Sequence, residues 1–155
     1  MNYAKLKKLL SDHKPGTVSL ASWLESLGIS TDLLKRYRKS GWFESIGTGA
    51  FIRPGDHVSW IGGLYALQQQ AKLPVHVGAN TALEIHGVSH YMRTKLIVYL
   101  FSPLSTPLPR WFLAYKWENE IHHVKTSMLP REVGLTTHQE QNIPFAVSTS
   151  ERAIL

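Results

Sequence analysis

Three residues, Gly28-Ile29-Ser30, constrain this chain more tightly than any others. Glycine ends helices in the left-handed conformation and serine begins them by accepting free amides. One helix must therefore stop and another start with a single residue between them. Ahead of the break, VSLASWLESLG reads as a helix with Thr17 or Ser19 as N-cap and with Leu20, Trp23, Leu24 and Leu27 as its buried stripe. Behind it, a helix runs from Thr31 to Lys39, and Gly41 ends it. YAKLKKLLSD, residues 3–12, forms an earlier helix, because Tyr3, Leu6, Leu9 and Leu10 recur at helical spacing; HKPGT then breaks it. After Gly41 the period becomes extended, and WFESI and AFIRP read as two short strands joined by the GTG triplet.

Helix, helix, short turn, helix and hairpin is the order of a winged helix-turn-helix, whose last helix enters the DNA major groove while the hairpin lies along the backbone. On a helical wheel Leu33, Leu34 and Tyr37 share one third of the circumference, and Thr31, Lys35, Arg38 and Lys39 cluster opposite them. One side anchors and the other is free to read. Lys and Arg each neutralise a phosphate and can donate to the O6 and N7 acceptors of guanine, and Thr31 stands in the first turn, where recognition helices meet base edges. Arg36 lies at the boundary of the two sides and is assigned to phosphate. In the hairpin, the glycines of GTG let backbone approach a phosphate, Thr48 can donate to one, and Arg53 at the base adds charge. A solvated cationic face and a plain tight turn would read the same way taken singly. The capped helix with a hairpin directly behind it favours the DNA reading.

The charge agrees. Seventeen Lys and Arg against eleven Asp and Glu give +6 and a sequence pI near 9.7, which suits a polyanionic partner. Residues 1–58 hold nine bases and five acids, and the remaining 97 hold eight and six, so the excess is concentrated at the N-terminal end. The absence of cysteine excludes disulfides, thiolate zinc sites and cysteine nucleophiles. No apolar run approaches the roughly 18 residues needed to span a bilayer, and MNYAKLKKLL has no apolar stretch of the kind a secretory signal needs; a cytoplasmic protein is expected.

From Ser59 a further helix, SWIGGLYALQQQAKL, with Trp60, Ile61, Leu64 and Leu67 inward, puts a domain boundary at 54–58. The expected fold class is α+β, a winged helix-turn-helix over 1–56 followed by a mixed helix and strand domain over 59–155. There PVHVG, TKLIVYLFS, WFLAYKW and EIHHVKTS read as strands, ANTALEIHG as a helix, and PLSTPLP as a loop. Ser148 and Glu151 read as a capping box opening a last helix, STSERAIL, which stops after little more than a turn, so a chain shortened at its C-terminus is expected.

No catalytic residue, metal or cofactor is assigned. His86 and His90 are four apart but Gly87 intervenes, no HExxH pattern is present, and His122 and His123 would face opposite sides of a strand. Glu84, Glu118, Glu120, Glu132 and Glu140 are scattered, which disfavours the competing class, a magnesium-dependent nuclease delivered by a winged helix. A winged helix used for protein–protein contact is a third possibility. Trp60, Tyr65, Trp111, Phe112, Tyr115 and Trp117 read as core rather than as a binding surface. His76, His90, Arg93, Lys95, Arg110 and Lys116 are candidates to extend a phosphate-contacting surface.

The same residues carry a family likeness. WLESLGISTDLLKRYRKSGWFESIGTGAFIRPGD resembles the N-terminal winged helix of AbiEi-type antitoxins of bacterial type IV toxin-antitoxin systems, and SWIGGLYALQQQAKLPVHVGANTALEIHGVSHYM with KLIVYLF is similar to the helix, strand, helix and strand that follow it. The likeness is clear over roughly residues 15–115. It implies a cytoplasmic repressor that binds inverted repeats in its own promoter and counteracts a nucleotidyltransferase-like toxin without forming a stable complex with it. The DNA-binding basic residues of that family match Lys35, Arg36, Arg38 and Lys39 here, and its members continue well past residue 155.

Overall fold

The computed structural model describes residues 3–87, 97–127, 134–140 and 142–154. Helix α1 (Tyr3–Asp12) buries Leu6 and Leu9, one helical turn apart. The expected second helix is shorter than its apolar spacing suggests. Ser19–Leu20 form a strand, β1, and α2 covers only Ala21–Ser26. The two candidate caps are engaged elsewhere: Thr17 Oγ1 donates to the Lys14 carbonyl at 2.6 Å, and Ser19 Oγ bonds His13 Nδ1 at 2.8 Å. The Gln70 carboxamide holds the strand, accepting from Leu20 N at 2.7 Å and donating to Val18 O at 3.0 Å. A partner fifty residues away decides this segment, and local periodicity does not contain it.

Helix α3 (Thr31–Lys39) matches its expected span, with Ser30 Oγ accepting from Leu33 N at 3.1 Å. Both α2 and α3 end in the same way. Gly28 (φ +89°) and Gly41 (φ +84°) are left-handed, and the next amides, Ile29 N and Trp42 N, reach back to the Leu24 and Tyr37 carbonyls at 3.0 and 2.9 Å. Then β2 (Glu44–Gly47) and β3 (Ala50–Ile52) form the expected hairpin, with a bulge after Ser45. With β1 they make a three-stranded antiparallel sheet in the order β1-β3-β2. Three helices backed by such a sheet is the winged-helix arrangement.

Two cores meet at this sheet. Phe51 packs with Leu6, Leu9, Leu24, Ile29, Leu34, Tyr37 and Phe43 under the N-terminal helices. Its neighbours Ala50 and Ile52, with Val18 and Leu20, point the other way, into a larger core built from the rest of the chain.

That second core gathers around α4 (Trp60–Tyr65), capped by Ser59 Oγ and continued as one π-helical turn over Ala66–Gln70. Trp60, Ile61, Leu64 and Leu67 are its inward face, as expected. The Gly62-Gly63 pair is a packing requirement, since a Cβ on the first would strike the Gly16 carbonyl and on the second the Trp117 and Phe112 rings. Then come β4 (His76–Val77), α5 (Ala79–Ile85), β5 (Ile97–Ser102), α6 (Arg110–Ala114), β6 (Glu120–Lys125), β7 (Leu135–Glu140), β8 (Ile143–Ser148) and α7 (Ser150–Ile154). The five strands order as β6-β5-β4-β8-β7, with β5/β6 and β4/β8 parallel and the other neighbours antiparallel.

Three expectations change. WFLAYKW is not a strand: Trp111 and Phe112 are adjacent and both buried, which a helical turn on one face permits, and Phe112 N and Leu113 N bond the Pro109 carbonyl. The β7–β8 hairpin was not foreseen, because LTTHQE is almost wholly polar and Pro144 lies inside its partner strand. Ser148 belongs to β8, so Thr149 caps α7, its Oγ1 accepting from Arg152 N at 3.4 Å.

Replacing Gln70 with Ala leaves Leu20 N and Val18 O without that carboxamide. The expected loss of unfolding free energy is about 2 kcal/mol by urea denaturation, and a loss below about 0.5 kcal/mol would contradict this account of β1.

Candidate nucleic-acid interface

Helix α3 divides as its wheel requires. Leu34 and Tyr37 are buried and Leu33 half-buried, while Thr31, Lys35, Arg36, Arg38 and Lys39 are all exposed. Thr31, Lys35 and Arg38, at i, i+4 and i+7, line a shallow cleft of about 230 Å³ that also takes in Ala21 and Glu25 of α2 and Gly49 of the hairpin turn. The Arg38 guanidinium lies 5.3 Å above the Phe51 ring, a cation–π contact that ties the cationic side of α3 to the central strand of the sheet. Arg36 and Lys39 lie outside this cleft; with Arg38 they occupy the last turn, where the negative end of the helix dipole favours cations.

The hairpin tip is smaller than the GTG triplet implied. Gly47 is a strand residue whose Cα faces Trp111 so closely that a Cβ there would collide with it, so that glycine serves packing against α6. Only Thr48 and Gly49 (φ +75°) form the turn, and Thr48 is exposed. Gly49 O accepts from Ala21 N at 2.8 Å, which fastens the tip to the start of α2. Arg53 stands at the other end of β3, half-buried, beyond the Glu44–Ile52 pair. The structure therefore brings Thr31, Lys35, Arg38 and the tip together and keeps Arg53 apart from them.

Two residues that the sequence reading passed over belong to this surface. Glu25 places a carboxylate in a cleft whose other polar side chains are Thr31, Lys35 and Arg38, where it opposes phosphate and can accept from a cytosine amino group. Trp42 is partly exposed directly after α3. Position gives both away in the fold; in the sequence they are an ordinary helix acid and a strand aromatic. Lys5 of α1 donates to the Gly28 carbonyl at 3.2 Å, which puts a further cation at the turn between α2 and α3.

Outside this surface, His122 and His123 do face opposite sides of β6, one bonded to Glu120 at 3.0 Å and the other to Ser102 at 2.6 Å. Among the described residues no group of three or more His, Cys, Asp or Glu is placed to hold a metal ion, and no helix is long and apolar enough to cross a membrane. His90, Arg93, Lys95 and Glu132 lie outside the described residues. Trp60, Trp111 and Phe112 are buried, and Tyr65 and Trp117 pack partly buried against the same core.

Family models decide the relationship. The AbiEi antitoxin N-terminal domain, described as a transcriptional regulator, matches residues 2–94, and the model for the AbiEi antitoxin transcriptional regulator of type IV toxin-antitoxin systems matches residues 95–155. The chain belongs to the AbiEi antitoxin family. No curated protein matches it. Among solved structures, the AbiEi chain is similar to the RV2827C protein from Mycobacterium tuberculosis, with a TM-score of 0.51 at 12% identity. The likeness covers 80% of this chain and 45% of that one, and it supports the winged-helix-like fold.

One titratable group stands against the hairpin base. His13 is buried, bonded to Ser19 and 3.7 Å from the Asp56 carboxylate. Burial lowers its pKa, the Asp56 charge opposes that, and the Arg53 charge adds to the lowering. A histidine lowered on folding gives its full stability above the unfolded value near 6.5 and loses it as pH falls, because the unfolded chain takes up the proton first. Urea unfolding at pH 7.5 and 5.5 should show lower stability at the acid end, with His13→Gln reducing the difference; an unchanged pH difference in the variant would contradict this assignment.

Proposed function

We propose that this AbiEi chain is a cytoplasmic DNA-binding repressor and antitoxin that autoregulates its operon through inverted repeats in the promoter. On this reading Thr31, Lys35 and Arg38 face the major groove, Arg36, Lys39 and Thr48 hold phosphates beside it, and Arg53 serves the backbone at the outer flank. The observation that carries the reading is α3 itself: Tyr37 is fully buried and Leu34 nearly so, while the four cations on the helix are exposed. Such a rod is held by one side and presents the other, which is what groove reading requires. The short tip beside the cleft supports it, because the same docking that inserts α3 would bring the Thr48 hydroxyl and backbone to the strand.

The protein acts by binding, and catalysis is not part of its role. Residues 1–56 are read as the DNA-binding unit and 59–155 as part of the antitoxin domain. Its functional counterpart is a nucleotidyltransferase-like toxin that it counteracts without a stable complex, a reading supported by the type IV description of the matching family. Two copies occupy an inverted repeat, one on each half-site.

Changing Lys35, Arg38 and Lys39 together to Ala should lower affinity for promoter DNA at least about a hundredfold and flatten the dependence of log K on log salt by about two to three. The circular dichroism spectrum should stay that of the parent. Binding of the folded triple variant at parental affinity would remove the proposal.

A further inference from the structure

The cleft beside α3 holds groups of opposite sign. Lys35 and Arg38 of α3 share it with the Glu25 carboxylate of α2, and Thr31 and Gly49 also stand in its wall. Glu25, Thr31, Lys35 and Arg38 are all exposed, so each can meet a partner from outside. A carboxylate placed to steady the two cations would be paired with them. Among the described residues Glu25 makes no ion pair with either.

A surface that held phosphates alone would gain from losing this acid, because bringing like charges together costs free energy. Base edges are different, since they offer donors as well as acceptors. In the major groove a G·C pair presents two acceptors, N7 and O6 of guanine, and then one donor, the N4 amino group of cytosine. An A·T pair presents acceptor, donor, acceptor. A cation beside a carboxylate is the complement of the first pattern.

The two kinds of group are also held in register. The Arg38 guanidinium rests 5.3 Å above the Phe51 ring, on the central strand of the sheet. Glu25 lies one turn after Ala21, whose amide donates to the Gly49 carbonyl at 2.8 Å and so ties α2 to the hairpin tip. Between the helices, Ile29 N donates to Leu24 O at 3.0 Å and Lys5 Nζ to Gly28 O at 3.2 Å. Donors and acceptor therefore approach a groove as one preset unit, and little ordering is left to the moment of binding.

We infer that Glu25 makes this cleft selective for a G·C pair within each half-site, with Lys35 or Arg38 donating to the guanine and the Glu25 carboxylate accepting from the N4 amino group of its cytosine. The inference rests on α3 entering the major groove, as proposed above. Glu25 lowers affinity for every duplex through its charge and recovers it only where that amino group is present, so its role is discrimination.

Selection from a random-sequence duplex library, run in parallel with the parent chain, Glu25→Ala and Glu25→Gln, tests it. Glu25 is exposed, and both variants should keep the parent's circular dichroism spectrum and urea midpoint. The parent should enrich a motif with an invariant G·C pair. Glu25→Ala should enrich the same motif with that position relaxed, and Glu25→Gln should shift it toward A·T, because a carboxamide pairs with N6 and N7 of adenine. On unselected duplex at low salt Glu25→Ala should bind about threefold tighter than the parent. N4-methylcytosine at the invariant position keeps the base pair but blocks the N–H in the groove. It should weaken the parent at least about fivefold and leave Glu25→Ala unaffected. Identical motifs from the parent and both variants would overturn the inference and leave the DNA reading standing. So would a parent that binds duplex without enriching any motif, or loss of all DNA binding in both folded variants. A parent that binds no duplex at all would remove the DNA reading together with the inference.

Discussion

Three successive residues of one strand decide the architecture. In Ala50-Phe51-Ile52 the side chains alternate between two cores, Phe51 toward the N-terminal helices and its neighbours toward the rest of the chain. A sheet with both faces covered has no tolerance for slippage, because a shift of one residue would send Phe51 into the wrong core and leave α3 without its seat. The strand is therefore the shared wall of both halves. The 54–58 connection joins two units that also meet through packed side chains.

This wall sets the geometry of the candidate interface. Phe51 supports Leu34 and Tyr37 from beneath and meets Arg38 at the edge, so the cationic stripe of α3 has a fixed direction relative to the hairpin tip. On its other side the hairpin rests on α6, with Gly47 against Trp111, which limits the wing to a two-residue turn. On the proposed DNA-binding reading, a short wing would reach few phosphates, and the weight of recognition would fall on α3 and on the Glu25 carboxylate that shares its cleft. Membership of the AbiEi family gives this surface its biological setting, while the carbons and nitrogens that form it are explained by packing alone.

Elements that end in their own punctuation were legible in the sequence. Helix α3 has a serine cap, a sharp amphipathic division and a left-handed glycine within the twelve residues 30–41, and its span and its exposed cations follow from those local signals. Helix α1 and the hairpin were legible for similar reasons. What escaped depends on partners far along the chain. Leu20 has helical spacing to Trp23 and Leu24, yet Gln70 and Ala50 draw it into a strand. Trp111 has strand propensity, yet Gly47 and the second core hold it in a helix. LTTHQE lacks any apolar alternation and becomes a strand only because Ile143–Ser148 pairs with it. In the candidate site, the wheel revealed which cations are exposed. It could not reveal that Arg38 rests on Phe51 or that Arg53 stands at the far end of β3.

The central claim is that a strand shared by two cores leaves α3 outermost and aimed at a groove. Amide chemical shifts of the chain, followed as promoter DNA is added, test it most directly. The account predicts that perturbations concentrate at residues 31–39 and 47–49 and spare the β5–β6 pair. Perturbations confined to the five-stranded sheet, with α3 unmoved, would contradict it.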